Sequence, residues 1–431
     1  MNSINRRSFI RQSAMATAAL SMMPSRGFTA ESDAKLKLGL IGCGWWGMVV
    51  VEAAFKAGGV EVAAMCDVDS GNLEKSAARV ETLQGRRPKT FKNYEDLLRE
   101  EGLQAVIIAT PPHWHALQFI AALERGLDIY CEKPLAYDVR EGQAMVAAAQ
   151  KAGRIVQIGF QRRQSPAIRQ VRDYIQQGGP GRIIQVDAQI NYQASMRDTT
   201  PQEPPASLDW EQWCGPAPKL PYSPNIGHFA WRFEKQYGNG HLVDWGIHLI
   251  DATRLILGET APKSIQAVGG LYYFKDKITT PDVLTAHFEF ETCPVVWRHR
   301  MYGAAEYTPD VSNGIFFYGE KETVFVTDNR WVVVPKGRGA AHKVTEARAD
   351  ASVAHIAAFL TAVRTRKEPE PLCTAADAHL SNTAVQLAMI AYETGSKVTW
   401  NAATGQIENN PAASRLLKRD YRAPWKHPYQ A

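Results

Sequence analysis

At 431 residues, with 45% hydrophobic and 22% charged residues, the chain is long enough for two globular domains and too apolar for an intrinsically disordered segment. Residues 1–30 hold Arg6, Arg7, Arg11 and Arg26 and no acid, so these four charges account for most of the formal +5 and leave +1 for the rest. That balance excludes the basic face a nucleic-acid binder needs, and no run is long and apolar enough for stable membrane insertion.

The chain opens with Asn5-Arg6-Arg7-Ser8-Phe9-Ile10-Arg11, followed by the weakly apolar stretch 14–23. This pattern resembles a signal for the twin-arginine machinery, which exports folded proteins, and it implies an exported or periplasmic protein. Phe28-Thr29-Ala30 is a poor cleavage point because a small residue is missing two positions before Ala30. The leader and its linker are assigned to residues 1–33.

From Leu38 the order is strand, glycine turn, helix, strand, acid. Leu38-Gly39-Leu40-Ile41 reads as a buried strand, and Gly42-Cys43-Gly44-Trp45-Trp46-Gly47 is a full G-x-G-x-x-G. A helical pattern follows over 48–57, and the apolar run 60–66 ends at Asp67, twenty residues after Gly47. This is the arrangement of a dinucleotide-binding unit. Gly42 permits the turn, Gly44 lets backbone approach a pyrophosphate, and Gly47 lets helix and strand pack. Asp67 accepts from a ribose 2′-hydroxyl and repels a 2′-phosphate, which favours NAD over NADP.

Further strand–helix alternation supports a doubly wound parallel sheet over 34–160. The strand 105–109 runs into Thr110-Pro111-Pro112-His113-Trp114-His115. Thr110, Pro111 and His115 are therefore expected near the nucleotide, beyond the strand ends. The strand 127–131 leads to Glu132-Lys133-Pro134, which sets Lys133 to reach the reactive ring of the cofactor, with Glu132 beside it. Cys43, Cys66 and Cys131 read as small core residues; with Cys214, Cys293 and Cys373 they form no C-x-x-C pair and no zinc knuckle.

From 161 the pattern changes. A helix over 166–177, a strand over 182–192 and a proline- and aromatic-rich stretch over 201–233 lead to a helix at 246–257. Strand-like runs follow at 265–274, 283–290, 295–301, 314–318, 323–327 and 331–334, and read as a mostly antiparallel sheet. Helices over 353–366 and 375–394 close this second domain, 161–400, before a tail, 401–431. The stretch 201–233 is too long for a plain connector and is expected to be functional. Tyr192, Arg162, His228, Trp231 and Arg232 are candidates for a sugar site; Arg162 and Arg163 follow a strand end, where either could face ligand or solvent.

Asp244, His248 and Asp251 are spaced to share one face of an otherwise apolar helix. His241 extends the stripe, although the spacing matches no known zinc pattern and no metal is assigned.

Together these residues resemble the glucose–fructose oxidoreductase / inositol dehydrogenase family, Gfo/Idh/MocA. The resemblance rests on Gly42 to Gly47, Asp67, Thr110 to His115, Glu132-Lys133-Pro134, and Asp244 with His248, and covers nearly the whole chain after residue 34. It implies an N-terminal Rossmann domain and a C-terminal α/β domain with an open, mostly antiparallel sheet, whose outer face often builds a homo-oligomer. It also implies that Lys133, Asp244 and His248 form the catalytic group and that exported members can hold their cofactor tightly. Leu208-Asp209-Trp210-Glu211-Gln212-Trp213 with Gly215-Pro216-Ala217 looks like exported carbohydrate-processing relatives. The histidine motif of the exported glycosidase branch is absent.

The chemistry expected is oxidation of a sugar hydroxyl, with His248 as base, Asp244 orienting it and Lys133 stabilising the alkoxide. Free NAD is scarce outside the cytoplasm, so export favours a retained, recycled cofactor. The alternatives are transient oxidation at the third sugar carbon followed by elimination of a glycosidic bond, and a silent sugar-binding protein of the same fold.

Overall fold

The computed structural model describes residues 35–430, apart from 305 and 369–372. The leader reading, residues 1–33, lies outside the described residues.

The first sheet contains β1 (Leu36–Ile41), β2 (Val60–Cys66), β3 (Lys89–Phe91), β4 (Ala105–Ile108), β5 (Asp128–Cys131) and β6 (Val156–Ile158). Their order is β3-β2-β1-β4-β5-β6 with every ladder parallel. All four residues of β4 are buried, as a strand covered on both faces requires. The chain order reverses between β1 and β4, which opens a crevice beyond their carboxyl ends. The glycine turn and Thr110 lie at that crevice.

One face of this sheet is covered by helix Trp45–Ala57 and, from far along the chain, by helix Ala351–Thr365. Ile356, Phe359, Leu360 and Val363 share one buried cluster with Leu38, Val50 and Val51. Arg364 adds hydrogen bonds to the carbonyls of Gly58 and Gly59 at 3.1 and 2.8 Å. The sequence assigns this helix to the second domain; its apolar stripe packs on the first sheet instead.

The second sheet contains β7 (Ile183–Asn191), β8 (Ser264–Gly270), β9 (Val283–Glu289), β10 (Pro294–Arg300), β11 (Asn313–Gly319), β12 (Glu322–Val326), β13 (Arg330–Pro335), β14 (Lys343–Glu346), β15 (Val398–Asn401) and β16 (Gln406–Ile407). The order is β14-β13-β12-β11-β7-β10-β9-β8-β15-β16. β7 and β10 pair in parallel and the other ladders are antiparallel. In β9, Leu284, Ala286 and Phe288 are buried while His287 and Glu289 are exposed, so one face packs and the other is wet. Helices Ile247–Leu257 and Ala375–Thr394 contribute Ile250, Ile256, Leu387 and Ile390 to the packed side.

Some elements differ from expectation for local reasons. β8 stops at Gly270 because the buried Asp282 carboxylate takes the backbone N–H groups of Tyr272, Tyr273 and Phe274 at 3.0, 2.7 and 2.7 Å. These donors are thereby withdrawn from any ladder. Between β3 and β4 the helix is a single turn, Tyr94–Leu97. The tail reaches buried groups of the first domain: Arg419 donates to Glu141 and to the His113 carbonyl at 3.0 Å each, and Tyr421 donates to Glu141 at 2.9 Å. All six cysteines are buried and free.

Candidate active site

The three glycines of the turn sit in different surroundings. Gly42 has φ +93°, and a Cβ there would meet the Ala109 carbonyl carbon at 2.7 Å. A Cβ on Gly47 would lie 2.0 Å from the Gly42 oxygen, so only glycine lets the helix approach the strand. Gly44 faces open space. It starts helix Trp45–Ala57, which has no side-chain cap and no acid in its first turn. Free N–H groups and the positive end of the helix dipole are thus left to an anion, and the turn fits a dinucleotide pyrophosphate. Asp67 lies at the end of β2, accepting from the backbone N–H groups of Cys43 (2.7 Å) and Asp69 (2.8 Å). Burial nevertheless pushes its carboxyl above the usual range.

A cleft of about 360 Å³ opens at this turn. Gly42, Gly44, Trp45, Trp46, Asp67, Thr110 and Pro111 line one side; His228, Trp231 and Arg232 line the other, with Trp114, Gln118, Arg197 and Trp213 completing the wall. The proline- and aromatic-rich stretch therefore covers the nucleotide crevice. It is fastened there by backbone bonds from Ser70 to the Ser207 carbonyl (2.9 Å) and from Asp209 to the Val68 carbonyl (3.0 Å). His228 adds a 2.9 Å contact to Asp69.

Lys133 follows β5, and its peptide bond to Pro134 is cis. Its Nζ donates to the Asp244 carbonyl at 2.6 Å and to Asp244 Oδ1 at 2.9 Å. Arg232 forms an ion pair with Asp244 Oδ2, also at 2.9 Å, while its guanidinium lies 4.8 Å over the Trp231 ring. Burial opposes ionisation of Asp244, but Lys133 and Arg232 outweigh it and hold its carboxyl well below the usual range. His248 stands close by, edge-on to Phe160 with ring centres 5.9 Å apart. Burial, aided by the Lys133 and Arg162 charges, keeps its imidazole neutral, and its buried Nδ1 has no partner. Tyr192 joins this group: burial and the Asp244 charge raise its phenol.

Other candidates fall elsewhere. His115 is fully buried, lies 2.8 Å from each of the Pro134 and Thr110 carbonyls and can donate to one of them; it packs between the two loops and does not border the cleft. Gly47 packs behind the turn. Glu132 is buried too, accepting from Gln161 at 2.8 Å and from the Lys133 N–H at 3.2 Å; burial pushes its carboxyl up to about 7. Arg162 pairs with Asp328 at 2.9 Å but leaves a buried Nη1 without a partner. Arg163 is buried away from solvent and does not line the cleft: it binds Asp251 through two bonds of 2.8 and 2.6 Å.

Asp251 thus leaves the expected stripe. The turn Leu242–Gly246 is π-helical and the α-helix begins only at Ile247. The extra residue in the turn changes the angular phase between Asp244 and Asp251, so i, i+7 no longer means one face. Sequence reasoning missed Trp114, Gln118, Trp213 and Arg197. Of these, Gln118 carries a legible signal: it lies eight residues after Thr110 on the following helix and receives its hydroxyl at 2.7 Å.

Comparison with known proteins bears on this geometry. Residues 36–160 match the model of an oxidoreductase family with an NAD-binding Rossmann fold, and residues 185–427 match its C-terminal α/β domain. A levoglucosan dehydrogenase of Pseudarthrobacter phenanthrenivorans is 34% identical over 168 residues, 39% of this chain and 36% of that protein. An inositol 2-dehydrogenase of Salmonella paratyphi B is 33% identical over 162 residues, 37% of this chain and 47% of that protein. The chain thus spans less than half the length of either relative. A solved levoglucosan dehydrogenase in complex with NADH and levoglucosan shares the fold at a TM-score of 0.67 and 19% identity, over 85% of this chain and 99% of that one. With a glycine turn that fits a dinucleotide and both domain models matched, the chain belongs to the Gfo/Idh/MocA oxidoreductase family.

Proposed function

We propose that the protein transfers hydride between a carbohydrate hydroxyl and NAD held in the cleft. The observation that carries this reading is Arg232, which lines the nucleotide cleft and also pairs with Asp244. It joins the cofactor site to the Lys133–Asp244–His248 group, and dehydrogenases acting on levoglucosan and inositol are among the relatives.

NAD, when bound, supplies the hydride acceptor. His248, neutral through burial and with a free Nδ1, takes the proton of the reacting hydroxyl. Lys133, held by Asp244, presents positive charge to the oxygen on which negative charge develops. Asp244 stays ionised throughout and fixes Lys133 and Arg232. Trp213 and Trp231 give the cleft wall apolar surface.

The Arg6-Arg7 leader motivates a further part of the reading, that the protein works outside the cytoplasm with a retained cofactor. The backbone bonds between 68–70 and 207–209, which fasten a cover over the Asp67 end of the cleft, support it. The test is to purify the leader-free protein, denature it and identify released small molecules by mass spectrometry. Stoichiometric NAD or NADH supports retention. A protein that arrives empty and fails to bind added NAD overturns the nucleotide reading. Release of an aglycone from a glycoside without net NADH replaces simple dehydrogenation by oxidation and elimination.

A further inference from the structure

Among the described residues, His241 is the one histidine with both ring nitrogens buried and neither hydrogen-bonded. The histidines as little exposed as His241 each have a carbonyl: His113 has that of Trp213 (2.9 Å), His299 that of Pro281 (3.1 Å) and His355 that of Ile158 (2.9 Å). His241 is equally enclosed, 1% exposed. Buried polar atoms left unpaired oppose folding, so they call for a reason in function.

The position is built. Gly240, at φ +92°, donates its N–H to the Arg232 carbonyl at 2.8 Å, and a Cβ on Gly238 would lie 2.3 Å from Arg232 Cα. The loop is thus clamped to the backbone of the residue that pairs with Asp244, and His241 begins the turn that carries Asp244. Tyr192 lies 5.2 Å from its ring centre, and the half-exposed Trp245 stacks on it at 6.3 Å. His299 meets it edge-on at 4.9 Å. That neighbour has no capacity to spare: its Nδ1 receives the Trp297 indole N–H at 3.0 Å and its Nε2 faces Pro281. Burial keeps the His241 ring neutral, with His299 and Lys133 adding to the effect and Asp244 opposing it. A neutral imidazole offers one donor and one acceptor. Among the described residues His241 belongs to no group of three metal-ligating side chains close enough to share an ion. An uncharged hydroxyl, which both donates and accepts, is the matching partner.

We propose that His241 is a substrate-binding residue that hydrogen-bonds a carbohydrate hydroxyl next to the one held at Lys133, and so selects among sugars. This rests on the hydride-transfer reading above. It gives the site a specificity element separate from His248.

The experiment compares the wild-type protein with His241→Phe and His241→Gln, using D-glucose, myo-inositol and levoglucosan as probes and NADH absorbance as the readout. His241→Phe is expected to bind NAD as the wild type does and to melt at the same or a higher temperature, since it removes two orphaned polar atoms. Its kcat/KM for the accepted probe should fall on the order of tenfold, mainly through KM. His241→Gln should restore part of that loss. A wild type that neither reduces NAD with any probe nor changes its melting temperature on adding them overturns the carbohydrate reading and this inference together. An active wild type whose His241→Phe variant keeps its kcat/KM overturns this inference alone. So does a variant that loses activity only because its melting temperature falls.

Discussion

Lys133 and Asp244 are joined twice: the ammonium donates to both the carbonyl and the carboxylate of the same residue, at 2.6 and 2.9 Å. The side chains are only 12% and 7% exposed. Neither group can rotate away without losing two bonds, so the charge is aimed before any substrate arrives. Lys133→Ala is therefore expected to lower turnover by about 10²–10⁴-fold while NAD still binds. It should also destabilise the fold by about 3 kcal/mol, because Asp244 keeps only Arg232. Steady-state kinetics beside an NAD titration checks this, and wild-type turnover in the variant would refute the assigned role.

The enclosed histidines predict acid sensitivity. Burial lowers His113 to about 3, His299 to about 4 and His355 to about 4, against about 6.5 in an unfolded chain. Below pH 6.5 the unfolded state takes up protons that the folded state refuses, so stability falls as pH falls toward those lower values. Each contributes about 2 kcal/mol of loss at pH 5 relative to pH 7. Urea unfolding at pH 7, 6 and 5 should show the midpoint dropping at each step; an unchanged midpoint at pH 5 would count against neutral core imidazoles.

Two glycines of the turn should separate folding from binding. A Cβ on Gly44 touches nothing within 4 Å, so Gly44→Ala should melt like the wild type while its NAD affinity drops at least about tenfold. A Cβ on Gly47 collides with the Gly42 oxygen, so Gly47→Ala should lose about 2 kcal/mol of stability as well. Melting curves with and without NAD distinguish them, and equal behaviour of the two variants would be the contrary result.

Asp67 lies at the end of β2 beside Asp69, and both Asp67 oxygens already hold backbone N–H groups; on the proposed nucleotide reading these two acids are what a 2′-phosphate would meet. Asp67→Ser is expected to raise the affinity for NADP relative to NAD by about tenfold to a hundredfold. Paired dissociation constants decide it; an unchanged ratio would mean that Asp67 only shapes the turn.

What was legible in the sequence was local. The glycine turn, the strand 105–108 and helix Ala375–Thr394 follow from spacing and apolar periodicity, and the sheet orders agree with the α/β reading. Packing partners were not legible. The stripe of Ile356, Phe359 and Val363 announces a buried helix but not which sheet it covers. The Asp244–Asp251 spacing assumed an uninterrupted α-helix, and nothing in Leu242–Gly246 declares a π turn. Arg232 meets Asp244 through a folded loop that no periodicity describes. His241 was visible as a polar residue in an apolar run, but the lack of a partner for its nitrogens follows from the packing of distant strands, which spacing does not describe.

Arg419 and Tyr421 are synthesised 278 and 280 residues after Glu141, the enclosed carboxylate they satisfy. Arg422 then binds the carbonyls of Gly215 and Ala217 at 2.9 and 3.1 Å. A ribosome must therefore travel far beyond the nucleotide-binding half before that half acquires its last partners. A prematurely released chain leaves Glu141 with only the Tyr137 N–H at 2.9 Å and leaves the Gly215 and Ala217 carbonyls without Arg422. The arrangement makes completion of the chain a condition for neutralising a carboxylate buried in its first half.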